Sequence, residues 1–132
     1  MEQFSYTIDP RFAESDALGY INHTSVPVWF EQARTPIFEL FNPGLSMDTW
    51  NLILKKIEVD YRAQIFLGQP VEISTWIKSL GNSSLVVVHE ARQNGELVAR
   101  GDIVMVHFDY QAQAKATIPN DIRERLAPYT QA

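Results

Sequence analysis

From Trp50 to Phe108 the apolar residues return at every second position, a long run of period two that leaves room for little besides successive antiparallel strands. Ile53, Ile57, Val59 and Tyr61 face one way and Lys56, Glu58, Asp60 and Arg62 the other, which predicts a strand over residues 51–63 with one side buried. After Gly68-Gln69-Pro70, Val71, Ile73, Thr75 and Ile77 alternate with Glu72, Ser74, Trp76 and Lys78 in a second strand. Gly81-Asn82 reverses the chain, and Leu85, Val87, His89 and Ala91 continue the buried side up to Asn94-Gly95, a strong hairpin signal. A last strand from about Glu96 to Phe108 is apolar on both faces, as expected of a central strand or a subunit contact.

Before this run the period is helical. Val26, Phe30, Ala33, Ile37 and Leu40/Phe41 recur at steps of three and four, with Trp29 widening the apolar face. Thr24 or Ser25 is the expected cap, and Pro27 fits the first turn, where amides have no intrahelical partner. Pro36 lies inside the pattern and predicts a kink between Gln32 and Pro36. Asn42-Pro43-Gly44 stops the helix, which would span about 25 Å at ~1.5 Å per residue. Residues 3–8 alternate as a first strand, and residues 119–129 read as a short C-terminal helix packed on the edge. One strand, one long helix and a four-strand meander give a single α+β domain over residues 1–132, the sheet curled around the helix. Its outer face, with Trp76, Val86, Val88, Val98, Val104 and Val106, is apolar enough to imply an oligomer.

Composition narrows the class. Of the 132 residues, 45% are hydrophobic and 20% charged, as in a soluble globular domain, and no run matches a membrane span or a signal peptide. The absence of cysteine removes disulfides and thiol nucleophiles and fits a cytoplasmic setting. A net charge of −5 argues against nucleic-acid binding. There is no Gly-rich phosphate loop and no Gly-x-Ser-x-Gly elbow.

The chemistry gathers just before the helix. Asp16 sits in a turn-forming segment a few residues ahead of a helix start whose unpaired N–H groups and positive dipole end can polarise a carbonyl oxygen. By spacing alone an aspartate there is a turn or cap residue. Asn22 could orient water or cap the helix; Glu14 reads as a solvated turn residue; the imidazole of His23 is unassigned. His89 and His107 fall among apolar neighbours and read as satisfied buried histidines, and no metal-ligand spacing occurs. Ser83 and Ser84 could line a channel or simply serve the hairpin. Lys55, Lys56, Arg62, Arg92 and Arg100 are candidate phosphate contacts, though for any single one a solvated sheet face is the commoner role.

Arg11-x-x-Glu14-x-Asp16-x-x-Gly19-x-Ile21-Asn22-His23 followed by Trp29-Phe30-Glu31-x-Ala33-Arg34 resembles the signature of the hot-dog-fold acyl-CoA thioesterases of the 4-hydroxybenzoyl-CoA thioesterase-like group. Tyr61 with Gly68, Gly81 with Ser83 and Ser84, Asn94-Gly95 before Ala99-x-Gly101, and Asp109 leading to Ile118-Pro119 extend the resemblance over nearly the whole chain. It implies a homodimer joined through its sheets, often assembled further to a tetramer, with acyl-CoA as substrate and no cofactor. Asp16 then corresponds to the catalytic carboxylate and the His23 backbone N–H to the oxyanion donor. Tyr20, Asn22, Trp29, Phe30, Ser83 and Ser84 would contact the acyl thioester, and Arg62 and Arg92 coenzyme A. Many relatives carry His at the Tyr20 position and Asn at the His23 position, a departure that bears on the acyl pocket. A carrier-protein thioester as substrate, or a non-catalytic acyl-CoA-binding module, are the alternatives.

Overall fold

A computed structural model describes residues 1–132, the side chain of Ala17 excepted. Strand β1 (Phe4–Ile8) leads through two short 3-10 turns to α1 (Ser25–Ala33) and α2 (Thr35–Phe41). Strands β2 (Leu52–Tyr61), β3 (Val71–Leu80), β4 (Ser84–Gln93) and β5 (Glu96–Asp109) follow, then a two-residue strand β6 (Ala114–Lys115) that the sequence did not signal, and α3 (Asn120–Leu126).

The strands pair antiparallel in the order β1-β3-β4-β5-β2, with β6 on the end of β5. This corrects the expected meander. The β3–β4 and β4–β5 connections are hairpins, the second closed by Asn94 (φ 53°) and Gly95 (φ 77°) in the left-handed pair that a tight turn requires. Residues 62–70 instead cross over, so β2 pairs with β5, Leu52 opposite His107 and Tyr61 opposite Ala99. β2 is therefore an edge strand, bulged between Leu54 and Lys56, and the predicted one-sided burial fails there: Leu54, Ile57 and Tyr61 are exposed and only Leu52 is sealed.

The helix is kinked where Pro36 requires it. Pro36 has no N–H for the Gln32 carbonyl, and the Thr35 hydroxyl supplies the missing donor at 2.7 Å. Arg34 N–H is shared between the carbonyls of Phe30 and Glu31, both at 3.1 Å, and α2 restarts beyond it. Each segment faces its own core. Val26, Trp29, Phe30 and Ala33 of α1 pack on Val71, Ile73, Ala91 and Ala99, and Ile37 and Phe41 of α2 pack on Ile77, Leu85, Val87 and Ile103. α3 closes the second core with Ile122 and Leu126, and Arg125 Nε donates to the Leu40 carbonyl at 3.0 Å, so the tail docks beside α2 as well as the sheet.

The convex face of the sheet is less needy than its sequence suggests. Trp76 and Val88 are buried within the single chain. The Arg100 guanidinium lies 6.0 Å over the Trp76 ring and the indole N–H donates to Gln131 Oε1 at 3.1 Å. Lys78, Asp102, Arg100, Glu90 and Arg92 form a chain of ion pairs across the same surface. The strand with most exposed apolar surface is the β2 edge.

Candidate active site

The segment ahead of α1 is a loop folded back on itself. Ser15 bridges Ile21, Asp16 N–H donates to the Tyr20 carbonyl at 2.6 Å, and Asn22 N–H donates to the Glu14 carbonyl at 2.7 Å. Its tip carries two consecutive left-handed residues, Leu18 (φ 72°) and Gly19 (φ 79°); glycine adopts this freely, whereas the exposed leucine does so at a cost of about 1 kcal/mol or more.

A second loop holds the first. Ile21 N–H donates to the Ile65 carbonyl at 2.8 Å and Leu67 N–H to the Gly19 carbonyl at 3.0 Å, while the Tyr20 and Phe66 rings lie 5.4 Å apart. That second loop is clamped in turn by Gln93 at the end of β4. Its buried amide accepts from Phe66 N–H at 2.9 Å and donates to the carbonyls of Phe66 and Gln69 at 2.8 and 3.0 Å. The position of Asp16 is thus tied to the sheet through the Gln93 side chain and the backbone hydrogen bonds between the two loops.

Glu14 anchors the loop to the helix. It is 8% exposed, not the solvated turn residue its context suggests, and it accepts from Arg11 N–H and the Trp29 indole, both at 2.7 Å. Burial pushes its carboxyl upward, but the bonds from the Arg11 amide, the Trp29 indole and the Arg11 guanidinium outweigh that and hold it below the usual carboxylate range.

Asn22 joins the two halves of the candidate chemistry. Its Oδ1 accepts from the Thr24 N–H at 2.9 Å and the Thr24 hydroxyl at 2.6 Å, and its Nδ2 donates to Asp16 Oδ2 at 3.3 Å. The cap therefore comes from Asn22, and the Thr24 side chain makes no cap bond of its own. Next to it, the N–H of His23 has no hydrogen-bond acceptor among the described residues. The His23 carbonyl accepts from the Tyr61 hydroxyl at 2.6 Å, which fixes the peptide at the helix start against the end of β2. Burial raises the Tyr61 phenol above its ordinary value and keeps it a donor.

A groove of about 380 Å³ opens beside this corner, lined by Ile21, His23, Val26, Tyr61, Arg62 and Ile65 among others. Asp16 itself is exposed and stands outside that lining. Arg62 brings a half-exposed guanidinium to the groove, 3.8 Å from Asp60.

The other sequence candidates fall elsewhere. Phe30 is sealed in the core, stacked on His89 at 4.8 Å, and Trp29 is buried with its indole committed to Glu14. Ser84 begins β4 and Ser83 immediately precedes it, whereas the Asp16 loop is tied to the strand's far end at Gln93, so within one chain they are separated by the strand's length, roughly 30 Å at ~3.3 Å per residue. Arg92 pairs with Glu90 at 3.2 Å on the convex face, away from the groove. His89 is a satisfied buried histidine: Arg34 Nη1 can only donate, so Nε2 at 3.3 Å accepts and Nδ1–H donates to Thr75 Oγ1 at 2.8 Å. Burial first, and the Arg34 charge second, hold it neutral, well below the usual histidine range. His107 is half-buried and points a ring nitrogen at the Ala116 carbonyl, 3.2 Å away.

Comparison with known proteins agrees with this architecture. Residues 10–126 match the family model of the thioesterase-like superfamily, and the chain belongs to that family. A predicted thioesterase from Bacillus stearothermophilus superposes with a TM-score of 0.96 at 42% identity, covering 98% of each chain. A thioesterase from Thermus thermophilus, complexed with coenzyme A and Zn, superposes with a TM-score of 0.83 at 32% identity, covering 92% of this chain and 95% of that one. The acyl-CoA thioester hydrolase YbgC of Escherichia coli is 24% identical over 123 residues, 90% of this chain and 92% of the relative. The fold is the hot-dog fold of these thioesterases, a curled antiparallel sheet around the helix, and the chain is a thioester hydrolase by family.

Proposed function

We propose that the protein hydrolyses acyl-CoA thioesters to the free acid and coenzyme A, with Asp16 acting on the carbonyl and the His23 N–H receiving the oxyanion. The observation that carries this is the Asn22 bridge, which ties the Asp16 carboxylate and the start of α1 together at 3.3 and 2.9 Å. A thioester is already activated, so one carboxylate and one preoriented dipole suffice. As a nucleophile, Asp16 forms a mixed anhydride and expels the thiolate, and water then cleaves the anhydride. As a base, it takes the proton of the attacking water and passes it to the departing thiolate. Either route returns the carboxylate unchanged. Arg62 lines the groove beside His23, which supports assigning it to a coenzyme A phosphate against the net negative field of the chain.

The exposure of Asp16 favours a homodimer. The β2 edge offers unpaired backbone and exposed Leu54, Ile57 and Tyr61, a row that a second β2 running antiparallel would complete. A two-fold there sets the Leu52–Leu54 end of one strand opposite the Tyr61 end of the other and shields the Asp16 corner with the second copy.

Asp16→Asn keeps the shape and removes basicity and nucleophilicity. Hydrolysis measured by thiol release should fall by about 10²-fold or more with little change in KM. Undiminished turnover would refute the assignment.

A further inference from the structure

Arg34 is a buried cation that the proposed chemistry does not use. It lies at the break between α1 and α2 with 2% exposure, and no carboxylate pairs with it among the described residues. Its Nη1 is committed to His89, while Nε has no partner and is sealed from solvent. Nη2 makes no hydrogen bond among the described residues and, unlike Nε, is not closed off from solvent, so it is the guanidinium nitrogen left to meet a carboxylate that enters. The same side chain lines a cavity of about 320 Å³ whose other walls include Phe38, Trp50, Leu52, Leu54 and Met105. Glu31 also lines it but stays exposed and does not pair with Arg34. Glu31 acts on Arg34 through space without a bond between them, so the buried cation retains affinity for an anion that can enter.

We propose that Arg34 forms the floor of an acyl subsite that selects short acyl groups ending in a carboxylate. This rests on the thioesterase reading above. The cavity flanks the Leu52–Leu54 end of β2, which an antiparallel two-fold sets beside the second copy's Tyr61 and Asp16 corner. The carbonyl is held at that corner and the acyl chain runs inward to Arg34. The volume equals roughly ten waters at ~30 Å³ each, enough for a chain of several carbons with its acid terminus.

Glutaryl-CoA and valeryl-CoA share a five-carbon chain and differ at the end that would meet Arg34. Calorimetric titration of the Asp16→Asn protein should show glutaryl-CoA binding ~10-fold or more tightly, the scale of one hydrogen-bonded charge pair. Arg34→Met should abolish the preference and leave the affinity for free coenzyme A unchanged. Equal binding of the two thioesters by the Asp16→Asn protein overturns the proposal, whether or not the Arg34 variant folds. Loss of the preference in Arg34→Met accompanied by an equal loss of free coenzyme A binding overturns it too. Initial rates on the unaltered protein separate the two readings. A binding preference for glutaryl-CoA with neither thioester hydrolysed sustains the role of Arg34 and refutes the hydrolase assignment.

Discussion

Replacing Glu14 by alanine should destabilise the protein far more than a loop carboxylate ordinarily would. The loss is concentrated in two bonds at 2.7 Å, from the Trp29 indole and from Arg11 N–H. The indole is buried, so its N–H would be stranded without water, a cost of about 1.5–3 kcal/mol for a bond to a charged acceptor. Arg11 is exposed and its amide can be rehydrated, adding roughly 0.5 kcal/mol. A total near 3 kcal/mol corresponds to a fall in Tm of roughly 10 °C for a domain of this size. Urea unfolding followed by circular dichroism gives the number directly. The cycle with Trp29→Phe isolates the pair, and the coupling should be at least ~1.5 kcal/mol. Coupling below about 0.5 kcal/mol would mean that the indole–carboxylate bond contributes nothing and that the loop is held by its backbone alone. The pH dependence has a definite sign. The folded pKa lies below the ordinary value, so this stabilisation is complete above about pH 4.5 and is lost as pH falls through the lowered value. Glu14→Gln should flatten that part of the acid limb.

The helix break gives a second test: Thr35→Val should cost about 0.5 kcal/mol, since water can replace the hydroxyl at the exposed Gln32 carbonyl, and Pro36→Ala, which restores an amide donor, should shrink that cost in the double variant, both read by urea unfolding. Gly101 lies against Phe30, where an added Cβ would come within 2.7 and 2.8 Å of the ring. Gly101→Ala should therefore destabilise by about 1–3 kcal/mol, and Phe30→Leu should relieve part of it.

The inward faces of β3 and β4 could be read directly, because Val71, Ile73, Thr75 and Ile77, and Leu85, Val87, His89 and Ala91, are all buried at every second position, although Trp76 and Val88 between them are buried as well. The kink at Pro36 was equally legible, since a missing amide is a property of the residue itself. The placement of β2 was not. Alternation specifies faces and says nothing about neighbours, so a crossover over residues 62–70 looks like any other turn-rich connection. Glu14 and Gln93 were missed for a related reason. Each is a polar side chain buried by contacts distant in sequence, Glu14 with Trp29 and Gln93 with residues 66–69, and no local pattern marks such a partner. The Arg11-x-x-Glu14 spacing was the one available hint. Asp16 and His23 stood out through their position before the helix, while Phe30 and Trp29 carried core and site readings that only packing could separate.

The division of the central rod at Arg34 also bears on how the chain reaches its native state. α1 has 9 residues and α2 has 7, each shorter than the roughly 12–15 at which an isolated helix becomes even marginal in water. Neither can serve as an early seed, so helical structure must wait for the sheet, whose β2–β5 register joins Leu52 to His107 and whose β1–β3 register joins Phe4 to Thr75. Closing such long loops first is slow, which sets refolding on the millisecond-to-second scale of sheet-dominated domains. The Asp16 corner, built where a loop meets the late-forming helix tip, is then among the last parts to take shape.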